Sequence, residues 1–246
     1  MPLKNNVMTL DRSRQVAVQV HEILKERILT VALEPGAALS RTALQDEFGV
    51  SVTPVRDALL RLQEDGLVDI YPQYATRVSR INVNHARQAQ FLRLSVELEA
   101  ICRLIAETPV ETAAALAHIL KQQERFADPS TYDRFDTFDK EFHRVLYVRS
   151  RNPELWNVVR EKSVHLDRLR RLNLPMPGKM QSLLADHHEI VKAIQNADTE
   201  AAVAAMRKHL SGTLSIIEAI QVRFPDFIQD DSVRGAFPQK ADSEWA

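Results

Sequence analysis

The chain contains little of several residue types on which other classes of protein depend. Its 246 residues include one cysteine, Cys102, which excludes an internal disulfide framework and fits a reducing environment. No apolar run is as long as a membrane span, and the N-terminus has no signal-peptide core, so we expect a cytoplasmic protein with no membrane partner. Six glycines and 6% aromatic residues, beside many alanines and leucines, predict a mainly α-helical fold.

The stretch from Ser40 to Leu67 has the pattern of two short helices joined by a tight turn. Leu44 and Phe48 give the first helix an apolar face, and Gly49 can adopt the positive φ that its C-terminal end requires. The second helix is expected to begin at a capping threonine followed by a proline, with an apolar inner face. Its residues are Thr53 and Pro54 at the start and Val55, Ala58, Leu59 and Leu62 on the inner face. This is the helix-turn-helix pattern, whose second helix lies in the DNA major groove.

Two short β-type runs, residues 67–70 and 76–79, follow the second helix and predict a wing. Helix-turn-helix pairs also occur in proteins that do not bind DNA, and the wing is what favours a winged helix-turn-helix domain. Net charge does not reveal a DNA-binding surface, because residues 1–80 contain ten Lys/Arg and ten Asp/Glu. DNA binding therefore requires the basic side chains to be segregated on one face.

The remainder of the chain has helical periodicity and no strand-like run. We expect about six helices, at about 84–107, 111–127, 131–150, 153–172, 180–196 and 199–223. Proline, asparagine and aspartate occupy the breaks between them, as is common at helix ends. The predicted organisation is a DNA-binding domain at 1–80, a helical domain at 81–225 and a polar tail at 226–246.

Six segments resemble one family of bacterial transcription regulators. EPGAALS (34–40), GVSVTPVRDALLRLQEDGLV (49–68) and YPQYATRVS (71–79) are similar to the N-terminal domain of the GntR family. FLRLSVELEA (91–100), FDKEFHRVLYVRSRNPEL (138–155) and DHHEIVKAIQNADTEAAVAAMRKHL (186–210) resemble the helical FCD effector domain of its FadR subfamily, in the shorter VanR-like form. The resemblance implies a homodimeric, ligand-responsive regulator, most often a repressor, that binds a two-fold operator in double-stranded DNA.

The resemblance also indicates which side chains contact DNA. Arg56 matches the arginine of the family's PVR motif and is expected to be the main major-groove reader. Three further arginines are expected to make phosphate or wing contacts. Thr42 and Val52 occupy positions where the family often has arginine, so the operator is expected to differ from the family's common one. The predicted DNA-binding set is Arg41, Thr42, Val52, Thr53, Arg56, Arg61 and Arg77.

Asp139 and His143 are four residues apart on one predicted helix, so their side chains leave the same face one turn apart. This spacing alone gives weak support for a metal site. The resemblance adds His187 and His209, because FCD domains commonly bind metal through an aspartate and three histidines at these places. The neighbouring His188 is the alternative third ligand, although the family's usual spacing favours His187. Three neutral imidazoles and a carboxylate suit Zn²⁺, with Ni²⁺, Co²⁺ and Mn²⁺ as further candidates.

Arg93 matches an arginine of the family's first FCD helix and is the predicted contact for an anionic effector, which the resemblance suggests is a small carboxylic acid. A solvated position or an ion pair with Glu97 remains an equal alternative. Two other functions stay open: a metal-dependent hydrolase or lyase that uses the Asp/His₃ site, and a metal-free regulator with an apolar tunnel for an acyl ligand. The lack of an HExxH-type glutamate disfavours the enzyme, and the intact ligand set disfavours the acyl regulator.

Overall fold

The computed structural model describes residues 10–11 and 13–229, and it has eleven α-helices and one two-stranded sheet in these ranges. The N-terminal elements are α1 (Val16–Leu29), α2 (Arg41–Phe48), α3 (Val52–Glu64), β1 (Val68–Tyr71) and β2 (Ala75–Val78). The C-terminal helices are α4 (Val83–Glu107), α5 (Pro109–Gln123), α6 (Tyr132–Arg149), α7 (Pro153–Lys162), α8 (Val164–Asn173), α9 (Lys179–Gln195), α10 (Thr199–Ser211) and α11 (Ile217–Arg223). The predicted mainly α fold, a winged helix-turn-helix followed by a helical bundle, is confirmed. No helix in the described ranges is both long enough and apolar enough to cross a bilayer.

Local chemistry sets the ends of the helix-turn-helix pair. The Ser40 Oγ accepts a hydrogen bond of 3.2 Å from a backbone amide in the first turn of α2, and Gly49 ends that helix with φ 63°. Helix α3 begins at Val52, so the prediction that Thr53 caps it is wrong. Pro54 is consequently the third helical residue, where an amide would still have no helical carbonyl to bind.

Strands β1 and β2 form the predicted wing as an antiparallel hairpin. Val68 pairs with Val78 at its base, and residues 72–74 make the turn at its tip. The segment 36–39, just before α2, hydrogen-bonds to the outer edge of β2. The wing is therefore attached to the start of the helix-turn-helix pair as well as to its end.

Helices α1 and α3 pack together in the core of the N-terminal domain. The buried side chains of this core are Val20, Leu24, Ile28, Leu39, Leu44, Phe48, Val55, Ala58, Leu59, Leu62, Leu67, Val68 and Val78. Val164 of α8 belongs to the same cluster, although it comes from the C-terminal domain. The two domains are therefore joined by apolar packing in addition to the chain that connects them.

Five helices surround the main core of the C-terminal domain. Helix α5 packs against α6 and α9, and α10 packs against α4 and α9. Buried side chains of this core include Ile101, Leu104, Leu116, Phe142, Leu146, Tyr147, Ile190, Ile194 and Met206. The arrangement brings the inner faces of α4, α6, α9 and α10 to one interior region.

Two of the six predicted helices are interrupted, so the described part of the C-terminal domain has eight α-helices. The helix predicted at 153–172 breaks at Ser163, whose Oγ donates to the carbonyl four residues earlier (2.7 Å). The helix predicted at 199–223 stops at Ser211, before Gly212 and a short 3₁₀ turn, and resumes as α11. Gly212 keeps helical backbone angles (φ −57°, ψ −35°), so the interruption is the tighter 3₁₀ turn that follows it. Apolar periodicity continues across both breaks, which is why the pattern did not reveal them.

Residues 79–82 connect β2 to α4, and the predicted domain boundary lies within this connector. The predicted tail begins with ordered structure: the 3₁₀ turn Pro225–Phe227 extends into it, and Ile228 is buried and makes a parallel bridge with Ile81. The rest of the predicted tail, residues 230–246, lies outside the described residues.

Candidate metal centre and nucleic-acid interface

One aspartate and three histidines meet in the interior of the C-terminal domain. Asp139 and His143 come from α6, His187 from α9 and His209 from α10. Each offers one oxygen or nitrogen atom, and these four atoms lie within 4.8 Å of one another. All four residues are buried, with at most 6% of any of them exposed. The side chains that the sequence suggests as metal ligands therefore form one cluster in the structure.

Several ligand-type atoms of this cluster have no hydrogen-bond partner within the described part of the chain. Arg170 binds Oδ2 of Asp139, while Oδ1 is buried and unpaired. That Oδ1 lies 3.7 Å from Nε2 of His187, which is also unpaired. Nδ1 of His209 is the third unpaired atom, whereas its Nε2 lies at hydrogen-bond distance, 3.1 Å, from Nε2 of His143. Coordination of a divalent ion satisfies such atoms, so the residues present fit a metal.

The opposite nitrogens of two histidines are held by side chains outside the cluster. Nδ1 of His143 lies 2.6 Å from a carboxylate oxygen of Glu97, and Nδ1 of His187 lies 2.9 Å from Oε1 of Gln123. Because a carboxylate or amide oxygen can only accept, each Nδ1 carries the proton and each Nε2 keeps its lone pair. Outer hydrogen bonds of this kind orient metal-binding histidines in other proteins.

Burial sets the protonation states of the cluster. It lowers the pKa of His187 to about 3 and also lowers the pKa values of His143 and His209, so the imidazoles are neutral at neutral pH. Burial alone would raise the pKa of Asp139, but the Arg170 guanidinium and the other nearby groups outweigh burial and hold that pKa below its ordinary value. Neutral imidazoles and an ionised carboxylate are the forms that bind metals.

Glu97 is the centre of a second buried polar group beside the cluster. It has no exposed surface and accepts hydrogen bonds from Nε of Arg93 (2.7 Å), from the Tyr147 hydroxyl (3.2 Å) and from His143. Burial alone would raise the pKa of Glu97, but Arg93 and His143 lower it to about 2. Of the arrangements considered for Arg93, the structure shows the ion pair with Glu97. The terminal nitrogens of Arg93 make no hydrogen bond to a described residue and remain available to a ligand.

All seven predicted DNA-binding residues are exposed on the N-terminal domain. Val52 and Arg56 project from the start of α3, with 53% of Val52 and 62% of the Arg56 side chain exposed. Arg61 leaves α3 about 140° around the helix from Arg56, so the two do not face the same part of a groove. Nη2 of Arg41 lies 3.5 Å from Oγ1 of Thr76, which places the start of α2 beside the wing.

Acidic side chains of the N-terminal domain are partly neutralised on the side of α1. Lys25 donates to Asp65 at 2.8 Å, and Arg27 donates to Glu47 at 2.5 Å. By contrast, three of the four predicted DNA-contacting arginines form no ion pair within the described ranges, and Arg56 lies 3.5 Å from the carboxylate of the next residue. Arg41, Arg61 and Arg77 are therefore exposed cations without an acidic partner in the described ranges, and their charges can meet DNA phosphates.

Two family profiles match the chain. The profile described as "Bacterial regulatory proteins, gntR family" matches residues 16–78, and the one described as "FCD domain" matches residues 88–212. A protein of Streptomyces ambofaciens, described as an uncharacterized HTH-type transcriptional regulator in an unstable DNA locus, is 36% identical over 209 residues, which are 85% of this chain and 88% of that protein. This chain belongs to the GntR family. It is a DNA-binding transcription regulator of the GntR/FCD type and not an enzyme.

Two further comparisons agree with membership of the GntR family. The Escherichia coli HTH-type transcriptional repressor RspR is 28% identical over 223 residues, which cover 90% of this chain and 97% of that protein. The solved structure of E. coli McbR/YncC has a TM-score of 0.66 with 21% identity, covering 84% of this chain and 98% of that one. The structural likeness shows the shared fold.

In this GntR-family regulator, the sequence indicated the Asp/His cluster but not the side chains that hold it. The sequence predicted Glu97 only as a possible ion-pair partner of Arg93. Its position four residues after Arg93, on the buried face of α4, could have indicated that it is buried. Gln123 and Arg170 carried no local signal, because they reach the cluster from α5 and α8 by tertiary packing. His188 lies outside the cluster, with 60% of its side chain exposed and a glutamate 2.7 Å away.

Proposed function

We propose that this regulator binds a divalent metal, with Zn²⁺ preferred, and senses a small carboxylic acid there. The proposed ligands are Asp139, His143, His187 and His209. The observation that supports this most strongly is the convergence of buried, unpaired ligand atoms from three helices. In a purely structural cluster, buried polar atoms are almost always paired with one another or with neighbouring groups.

The charges around the cluster favour an anionic effector. Two cations, Arg93 and Arg170, balance two carboxylates, Asp139 and Glu97, and the histidines are neutral. A bound divalent ion supplies two positive charges and coordination positions that a carboxylate can fill. Since uncompensated charge is unfavourable in a buried site, an acid is favoured over a neutral analogue. The terminal nitrogens of Arg93 can donate to a further oxygen of the acid.

The same atoms disfavour a metal-free regulator with an acyl ligand. An apolar chain against Asp139, His187 and His209 would leave their unpaired atoms buried. Each such atom costs roughly 1–3 kcal/mol. The acid bound at a metal is therefore the better effector for this cluster.

The proposed mode of action is repression at a two-fold operator. RspR, which covers most of this chain, is named a repressor. In the proposed complex Arg56 reads a base in the major groove. Arg41, Arg61 and Arg77 contact phosphates or flank the wing. The effector changes operator affinity to the extent that it favours one geometry of the DNA-binding domains over another.

Exposed apolar side chains support pairing of two copies through the C-terminal domain. Phe91 of α4 is 74% exposed, Val148 of α6 is 45% exposed, and Leu155 and Val158 of α7 are 39% and 44% exposed. Each of these three helices therefore presents at least one large apolar side chain to solvent. A dimer interface would remove such surface from water, and two paired helix-turn-helix units give the specificity that one half-site cannot.

The test is a titration of operator affinity with hydroxy acids and sugar acids. The operator is first selected from genomic fragments with the purified protein. Zinc-loaded, chelator-treated and His143→Ala proteins are then compared, with His188→Ala as the matched control. We expect the zinc-loaded wild type and His188→Ala to respond to an acid, and the other two to bind the operator without a response.

Two outcomes would contradict the proposal. An equal response of all four samples would show that the metal has no part in sensing. Native mass spectrometry of the zinc-loaded protein at micromolar concentration reports the number of subunits, and a monomer there would contradict the dimer.

A further inference from the structure

The connector between the two domains, residues 79–82, is held on one side by α8. Arg168 donates through Nη2 to the carbonyl of Ser79 (2.6 Å) and through Nη1 to its hydroxyl (3.2 Å). The backbone amide of Asn82 donates to Nδ1 of His165 (3.2 Å). Both side chains of α8 are buried, so the connector cannot move on this side without breaking buried hydrogen bonds.

The other side of the connector is held by the C-terminal segment Phe227–Gln229, which we call the strap. The amide of Ile81 donates to the carbonyl of Phe227 (2.8 Å), and the carbonyl of Ile81 accepts from the amide of Gln229 (3.0 Å). The side-chain oxygen of Gln229 also accepts from Nδ2 of Asn82 (2.7 Å). The strap therefore satisfies both backbone groups of Ile81, as a neighbouring strand would.

Apolar packing also holds the strap against the connector. Ile81 is fully buried and Ile228 is 5% exposed, and they share one cluster with residues of α4, α8 and α11. The other buried members of this cluster are Ala86, Ala89, Leu166, Leu169, Ile217 and Ile220. The FCD profile ends at residue 212, so the strap and α11 lie beyond the part of the chain that the family profiles describe.

We propose that the strap locks the connector and thereby fixes the orientation of the DNA-binding domain on the C-terminal domain. Without the strap, the backbone groups of Ile81 would be solvated, and rotation about residues 80–82 would be opposed from one side only. A two-fold operator requires a defined separation of two recognition helices, so the lock sets the geometry from which the regulator binds DNA. This role needs neither metal nor effector.

Arg80 provides a direct readout of the lock. It is exposed, and trypsin cleaves after arginine, but the next amide, that of Ile81, is engaged by the strap. Gln229→Pro removes the amide that binds the carbonyl of Ile81. Ile228 already has the extended backbone (φ −95°, ψ 140°) that a residue before proline adopts. The matched control is Gln229→Ala, which keeps the backbone amide and loses only the side-chain bond.

The experiment measures the rate at which limited trypsin releases the fragment that ends at Arg80, identified by mass spectrometry. Cleavage of Gln229→Pro is expected to be about tenfold faster than that of Gln229→Ala, the factor that corresponds to one net hydrogen bond. Equal rates in the two folded variants would overturn the proposal. If Gln229→Pro loses its helical circular dichroism, chains truncated after Phe224 and after Gln229 make the same comparison. The chain truncated after Phe224, which lacks the strap, should be cleaved faster at Arg80 than the chain truncated after Gln229. Equal cleavage rates of these two chains would also overturn the proposed lock.

Discussion

Replacing Glu97 by glutamine should destabilise the protein strongly although the side chain keeps its size. Glu97 is fully buried and accepts from three donors, on Arg93, His143 and Tyr147. A glutamine amide turns its NH₂ group toward at least one of these donors and leaves the Arg93 cation without its paired carboxylate. Removing one partner of a buried ion pair costs about 3–5 kcal/mol. The free energy of unfolding of the metal-free protein should fall by about that amount.

Urea denaturation measures this loss against a matched control. Glu99→Gln removes the same charge from the exposed side of α4 and should change the unfolding free energy by less than about 0.5 kcal/mol. Adding Arg93→Met to Glu97→Gln removes the stranded cation. The double variant should therefore recover part of the loss, with a coupling free energy of about 1–3 kcal/mol in the double-mutant cycle.

Glu97→Gln also tests the link between this buried group and the metal. The glutamine amide either turns its NH₂ toward Nδ1 of His143 or offers that nitrogen a weaker, uncharged acceptor, so zinc affinity should fall about 10–100-fold in competition with a chelator. If Glu97→Gln and Glu99→Gln unfold with free energies within about 1 kcal/mol of each other, Glu97 is not a buried carboxylate with three donors, and the reasoning is refuted.

Three further predictions concern single side chains. His187→Ala should abolish stoichiometric zinc binding, measured by elemental analysis, while His188→Ala should retain it. Arg56→Ala should lower operator affinity by about 1–3 kcal/mol and relax specificity at one base pair, and equal losses on all operator variants would reassign Arg56 to the phosphates. Burial lowers the pKa of His165 to about 3 in the folded protein, whereas the unfolded chain binds the proton near pH 6.5. The free energy of unfolding should therefore fall as the pH drops below about 6.5, and His165 contributes about 1.4 kcal/mol per pH unit to that fall. His165→Asn can still accept from the Asn82 amide but does not titrate, so its unfolding free energy should fall less steeply between about pH 6.5 and pH 4.

The sequence was informative about the fold where local chemistry decides the structure. Ser40 caps the start of α2 and Gly49 ends it, as the capping pattern predicts. The wing follows α3, as the two β-type runs predict. The breaks at Ser163 and after Ser211 were not predicted, because a side-chain hydrogen bond and a short 3₁₀ turn interrupt a helix without interrupting its apolar periodicity. Helix ends are defined only to within one or two residues, and α3 begins at Val52, one residue before Thr53.

Less of the candidate site than of the fold could be predicted from local sequence patterns. Helical spacing alone relates Asp139 to His143, whereas the two other histidines lie on later helices and were connected to them only through the family resemblance. Gln123 and Arg170 were not predicted because no local pattern marks them as inward-facing, whereas Glu97 lies one turn after Arg93 on the buried face of α4. Burial of polar groups is a property of the assembled bundle and not of any one segment.

Helix α8 contacts both the Asp/His cluster and the DNA-binding domain. Arg170 binds Asp139, while Arg168 donates to Ser79 in the connector, and Val164 enters the core of the DNA-binding domain. Burial lowers the pKa of Arg168 to about 10, yet the guanidinium stays charged at neutral pH and is held by hydrogen bonds to one residue. A displacement of α8 that follows a change at Asp139 therefore breaks these bonds or moves the connector.

Arg168→Met tests whether this route carries the proposed effector response. Methionine fills part of the buried volume but cannot donate to Ser79, so α8 would hold the connector by one hydrogen bond, between His165 and the amide of Asn82, and by apolar packing. Zinc affinity should stay at the wild-type value because Arg168 does not contact the cluster, while the ratio of operator affinities with and without the acid should shrink toward one. Lys162→Met, at an exposed position of the neighbouring α7, is the control and should keep the wild-type ratio. An unchanged ratio in Arg168→Met would mean that coupling between the two domains runs through other contacts.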